Sequence, residues 1–183
     1  RCSRDWSSDV CSSDLTGLTN GGPGLAQSAL VNSGVGATLT NSGANVAFTP
    51  TGTVTPASIS DRILVYNQAN AAINGVYTVT TVGAPDSPGP GAQWVLTRAT
   101  DSNQYAPQNP NGAGAGDYFY IQSGSGAGES YVLTSPEGAI IFGQSNITYT
   151  LFSATQIYSG ANGVNISGQT ISANVDNDTT AII

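Results

Sequence analysis

The stretch Gly75–Val82, GVYTVTTV, decides the fold. Every residue after the glycine is β-branched or aromatic. Such side chains lose rotamer freedom in a helix and pack well on a pleated surface. They also alternate. Val76, Thr78, Thr80 and Val82 fall on one side of an extended chain, and Tyr77, Val79 and Thr81 on the other. Asn74-Gly75 just before is a tight-turn signal. Just after, Ala84–Ala92 (APDSPGPGA) holds too much proline and glycine for regular structure and reads as a long hairpin tip.

The same pattern recurs outward from this strand. Ala44–Thr49, Arg62–Tyr66 (RILVY), Gln93–Arg98 (QWVLTR), Asp117–Gln122 (DYFYIQ), Ser130–Thr134 (SYVLT), Ala139–Phe142 and Ile147–Phe152 (ITYTLF) are short β-rich runs. Breakers separate them: Gln108–Gly116 (QNPNGAGAG), Ser123–Gly128 (SGSGAG), and Ser135–Gly138 (SPEG), a β-turn with Pro in its second position. Gln68–Ile73 (QANAAI) fits either a short helical turn or a loop. No long amphipathic helix is present. Short strands at close intervals predict an all-β chain, with a compact antiparallel β-sandwich or barrel-like domain over 35–154. A flexible lead-in over 16–34 precedes it. From 155 onwards Gly163–Gly168 and Gln169–Val175 read as a hairpin around Ser167-Gly168, the start of a fibrous β-repeat. It is too polar to close a core alone and would be stabilised against other copies.

The first fifteen residues read differently. Asp5–Leu15, DWSSDVCSSDL, matches codon for codon the translation of a common short-read sequencing adapter. Residues 1–15 are therefore read as a processing artefact outside the native protein. Both cysteines, Cys2 and Cys11, lie there, as does Trp6. Without them two arginines, Arg62 and Arg98, face eight acidic residues, a net charge of −6.

Composition excludes much chemistry. The chain has no histidine, lysine or methionine, and only 8% of it is charged. Ser–His–Asp and Cys–His nucleophile systems and a lysine Schiff base have no residues to build them. Zinc sites of His and Cys cannot form. Two arginines cannot neutralise a run of phosphates, which argues against nucleic acid. No stretch has the roughly 20 apolar residues of a membrane helix. Paired carboxylates remain, with Asp101, Asp117, Glu129 and Glu137 as the candidates for glycoside hydrolysis. Each sits at a turn or loop edge, where acids ordinarily serve solvation. The expectation is a protein without catalytic residues, metal or cofactor.

Binding residues are easier to nominate. Tyr105, Tyr118 and Tyr120 neighbour polar loops and are candidate ligand contacts. Trp94, Tyr77, Phe119, Phe142, Tyr149 and Phe152 lie in strand runs and are expected in the core. Arg98 is expected to pair with Asp61 or Asp101 at strand ends, fixing loops rather than doing chemistry.

An ordered set of motifs carries a resemblance. GVGATLTN (Gly34–Asn41), DRILVYNQ (Asp61–Gln68), NGVYTV (Asn74–Val79), WVLTRATD (Trp94–Asp101), GDYFYI (Gly116–Ile121) and ITYTLFS (Ile147–Ser153) resemble a domain of phage and prophage tail fibre proteins. Gly160–Val175 resembles the short repeat that follows it. Tyr66 departs from the Lys or Asp usual there, and the Ala84–Ala92 loop is longer and richer in proline. The resemblance implies a virion structural module, extracellular, that spaces or presents surfaces for a host glycan or protein receptor. It also implies a homotrimer. The rival readings are a bacterial cell-surface adhesin repeat and a polysaccharide depolymerase fragment.

Overall fold

The computed structural model describes residues 9–12, 18–21, 34–41, 43–103, 112–153, 164–167 and 170–173. Among them the chain is all-β. Its strands are β1 (Asp9–Ser12), β2 (Leu18–Gly21), β3 (Thr38–Asn41), β4 (Arg62–Val65), β5 (Gly75–Thr81), β6 (Val95–Arg98), β7 (Tyr118–Tyr120), β8 (Ser123–Gly124), β9 (Ser130–Leu133), β10 (Tyr149–Ser153), β11 (Val164–Ser167) and β12 (Thr170–Ala173).

The large sheet runs β2-β3-β6-β5-β4-β1-β8. Its centre, β3-β6-β5-β4, is antiparallel throughout. Ala84 and Ala92 exchange backbone hydrogen bonds of 2.9 and 3.0 Å, so the proline-rich segment is the tip of the β5–β6 hairpin. One departure from a purely antiparallel design is β1, which runs parallel to β4 and to β8. A second sheet, β10-β9-β7, is antiparallel, and β11 and β12 form a separate hairpin.

Strand alternation gives the large sheet two buried faces. Leu39, Leu96, Val79, Tyr77, Ile63 and Val65 point one way and are roofed by Phe48, Ala57, Ile73 and Trp94. The Trp94 and Phe48 rings meet edge to face at 5.1 Å. Leu64 and Val76 point the other way, against Phe119, Ile121, Tyr131 and Leu133 of the second sheet, with Ile140, Phe142 and Ile147 closing the gap. Burial of each such side chain contributes about 1.5–3 kcal/mol. The result is two sheets sharing one core, with a second core under a loop.

Some expectations fail for physical reasons. Ala44–Thr49 is extended but forms no strand. Its Phe48 N–H donates to the Val82 carbonyl at 2.7 Å, and the Ala57 N–H donates back to Phe48, making a strap over the sheet face. Ala139–Phe142 is an irregular segment between two turns that sends Ile140 and Phe142 into the core. Gln68–Ile73 resolves into a single 3₁₀ turn, Ala71–Ile73, capped by the Asn70 side chain accepting from the Ala72 N–H. The strict alternation of Gly75–Val82 breaks at a bulge between Val79 and Thr81. Beyond it Val82 packs with Tyr77 and Val79 rather than with Val76. Phe152 is 71% exposed instead of buried.

Candidate functional site

Arg98 sits where the two buried clusters meet, against Tyr77 of one and Phe142 of the other. It follows Leu96 by two residues on β6, so it faces inward and is buried. Its guanidinium lies between the Tyr77 ring (4.7 Å) and the Phe142 ring (4.5 Å). The Nη2 donates to the Tyr77 hydroxyl at 2.7 Å and to the Asn74 carbonyl at 3.2 Å. Its Nε and Nη1 have no hydrogen-bond partner. The expected pairing of Arg98 with Asp61 or Asp101 is therefore not formed. Asp101 instead takes Arg62 in a two-pronged pair, both contacts 3.1 Å, and Asp61 accepts from the Ser58 N–H at 2.8 Å. Gly75 is required beside Arg98. Its φ is +150°, and a Cβ there would overlap Nη1.

What Arg98 and Tyr77 hold is the β4–β5 connection. Tyr77 donates its hydroxyl proton to the Ile73 carbonyl at 2.6 Å. Asn74 accepts from the Gln68 N–H (3.2 Å) and donates to the Ile147 carbonyl (3.0 Å), while the Ile147 N–H donates to Ala71 at 3.0 Å. The connection is thus clasped to the entry of β10. Between them opens a groove of about 280 Å³. The connection supplies Tyr66, Asn67, Gln68, Ala71 and Asn74, and the second sheet supplies Tyr131, Thr148 and Tyr149.

The groove is aromatic and polar, and its described lining residues carry no formal charge. The Tyr66 and Tyr131 rings are 4.4 Å apart, tilted by 43°. The Tyr131 hydroxyl reaches both Tyr66 (3.0 Å) and the Glu129 carboxylate (2.6 Å). Burial first, then these two bonds, pushes the Tyr131 phenol well above its ordinary range. The Tyr149 hydroxyl is fully enclosed and its pKa is also raised, by burial, with Arg98 opposing. Ser102 lies close enough to favour its anion, but no hydrogen bond of good geometry reaches it. A second hollow, about 380 Å³, lies among Pro50, Thr53, Pro56 and Ser58, with Asp61 at its edge.

The sequence nominations land elsewhere. Tyr105 lies outside the described residues. Tyr118 and Tyr120 are exposed on β7, and Tyr118 bonds the Ser130 hydroxyl at 2.6 Å and meets the Phe152 ring edge-on at 5.7 Å. They form an aromatic strip apart from the groove lining. Three of the four candidate carboxylates have local work. Asp117 accepts from the Gly114 N–H at 3.0 Å, Glu129 from Tyr131, and Asp101 from Arg62. No cluster of three metal-ligating side chains occurs among the described residues. The groove tyrosines were missed because Tyr66 and Tyr131 sit at strand ends that alternation assigns to the core. The usable signal was YNQ at Tyr66–Gln68, an aromatic and two amides directly after a strand.

Comparison with protein-family models, with curated proteins and with solved structures returned no match.

Proposed function

We propose that this chain is a structural module of a bacteriophage tail fibre, which spaces or presents surfaces that meet the host cell. The observation that carries the reading is the groove beside Tyr66 and Tyr131. It is a surface for holding a ligand on a rigid β-scaffold, made by a loop that the core clasps in place. The motifs that carry the tail-fibre resemblance support it. DRILVYNQ is β4 plus the groove rim, NGVYTV starts β5 beside the clasp, and WVLTRATD is β6 with Arg98. The engaged carboxylates favour binding over catalysis. On this reading the module works as a homotrimer in the extracellular virion, and the β11–β12 hairpin opens its shaft.

Mass spectrometry of gradient-purified particles, induced from the strain carrying the gene, tests this. Trypsin can cut only after arginine here, so the diagnostic fragment is Ile63–Arg98. Its enrichment with capsid and tail proteins is the expected result. Its recovery only from the cell-envelope fraction would favour the adhesin reading.

A further inference from the structure

We infer that the groove between the β4–β5 connection and β10 is a binding subsite for one or two rings of an uncharged saccharide. This deepens the tail-fibre reading and rests on it for the biological source of the sugar. The site itself stands on geometry.

Four features point to the ligand class. The volume, about 280 Å³, is at the small end of ligand sites and matches a short, compact ligand. The lining joins tyrosine rings to amide and hydroxyl groups: Tyr66 and Tyr131 with Asn67, Gln68 and Thr148. Pyranose rings carry the same duality, with apolar C–H faces for aromatic rings and a rim of hydroxyls for amides. Among the described residues no cation lines the groove, which leaves a phosphate or carboxylate ligand without its usual partner. Glu129, bonded to Tyr131, sets a negative charge at that end and further disfavours anions.

Preorganisation is the fourth feature. The Tyr131 hydroxyl is fixed by Glu129 and Tyr66, and the rim loop by Asn74, Tyr77 and Arg98. A ligand therefore meets groups already ordered, which lowers the entropic cost of binding.

The test uses the full chain and a panel of methyl glycosides of glucose, galactose, mannose, rhamnose and N-acetylglucosamine, with tetra-alanine as a peptide probe. Saturation-transfer NMR reads contact, and titration reads affinity. At least one glycoside is expected to bind with a millimolar Kd. Tyr66→Ala and Asn67→Ala should each weaken it about fivefold or more, with the melting temperature of Asn67→Ala unchanged. Tyr118→Ala, on the separate aromatic strip, should leave the affinity unchanged. Silence from every glycoside overturns the proposal. So does binding indifferent to Tyr66 and Asn67, or binding by tetra-alanine alone. Recovery of Ile63–Arg98 from particles together with such a failure would leave the tail-fibre reading standing and remove only the sugar site.

Discussion

The Nη2 of Arg98 donates to the Tyr77 hydroxyl at 2.7 Å, and that hydroxyl in turn donates a hydrogen bond to the Ile73 carbonyl at 2.6 Å. This relay ties β6 through β5 to the loop that walls the groove. A lysine at 98 would keep the charge but lose the planar fork held between two rings. Arg98→Lys should therefore cost about 2–3 kcal/mol, or roughly 5–10 °C in melting temperature for a chain of this size. Thermal melts followed by circular dichroism check it. An unchanged melt would mean the stacked guanidinium contributes nothing.

The Arg62–Asp101 pair is a different kind of contact. Its side chains are 20% and 25% exposed, so water competes for it. A double-mutant cycle with Arg62→Ala and Asp101→Ala should give a coupling of about 0.5–1 kcal/mol. The coupling should shrink in 1 M salt. Denaturant unfolding of the four proteins measures it.

Three tyrosines, Tyr77, Tyr131 and Tyr149, have phenols raised by burial. Their neutral forms are favoured in the folded chain over the unfolded one. The stability they contribute is complete below the unfolded phenol value, about 10, and is lost as pH rises through their folded values. Stability should thus fall progressively above about pH 10. Ultraviolet titration of phenolate should show these three ionising only as the fold is lost. Free, reversible ionisation of all eight tyrosines near pH 10 with the fold intact would contradict this.

Deleting residues 1–15 should leave a folded protein. Among the residues whose side chains are described, neither buried cluster draws one from before Leu39. Strand β1 contributes backbone pairing to β4 and β8, and the 123–125 turn is held independently by the Ser125 N–H bond to Thr51 at 2.8 Å. Far-ultraviolet circular dichroism should stay β-type, with a melting shift of only a few degrees, the consequence of about 1 kcal/mol. The exposed edge of β4 should raise the tendency to self-associate. An unfolded product would show that the segment belongs to the native fold.

The sequence made the strands legible because period-two alternation survives wherever one face is covered. Gly75–Val82, Arg62–Tyr66 and Ser130–Thr134 came out within a residue or two of β5, β4 and β9. The same alternation, applied to Leu96 and Arg98, places the arginine inward. Charge pairing pointed instead to Asp61 or Asp101, and only the three-dimensional structure shows that Asp101 takes Arg62 and Asp61 the Ser58 N–H. Ala139–Phe142 misled because an irregular segment that buries alternate residues has the composition of a strand. Phe152 misled because it lies on the outer face of β10, beside the exposed Tyr118 ring, in a strand whose last four residues are all exposed. The groove was the least legible part. Its walls come from segments about 65 residues apart, joined by hydrogen bonds such as Tyr131 to Tyr66 and Asn74 to Ile147 that no local pattern encodes.

The role proposed for this all-β chain is to hold and present a surface on a virion fibre. Immunogold electron microscopy with antibody against residues 35–154 tests it most directly, on particles induced from the strain that carries the gene. Gold on the fibres of intact particles and none on the envelope of uninduced cells is the expected result. Gold confined to the cell envelope, with bare particles, would contradict it.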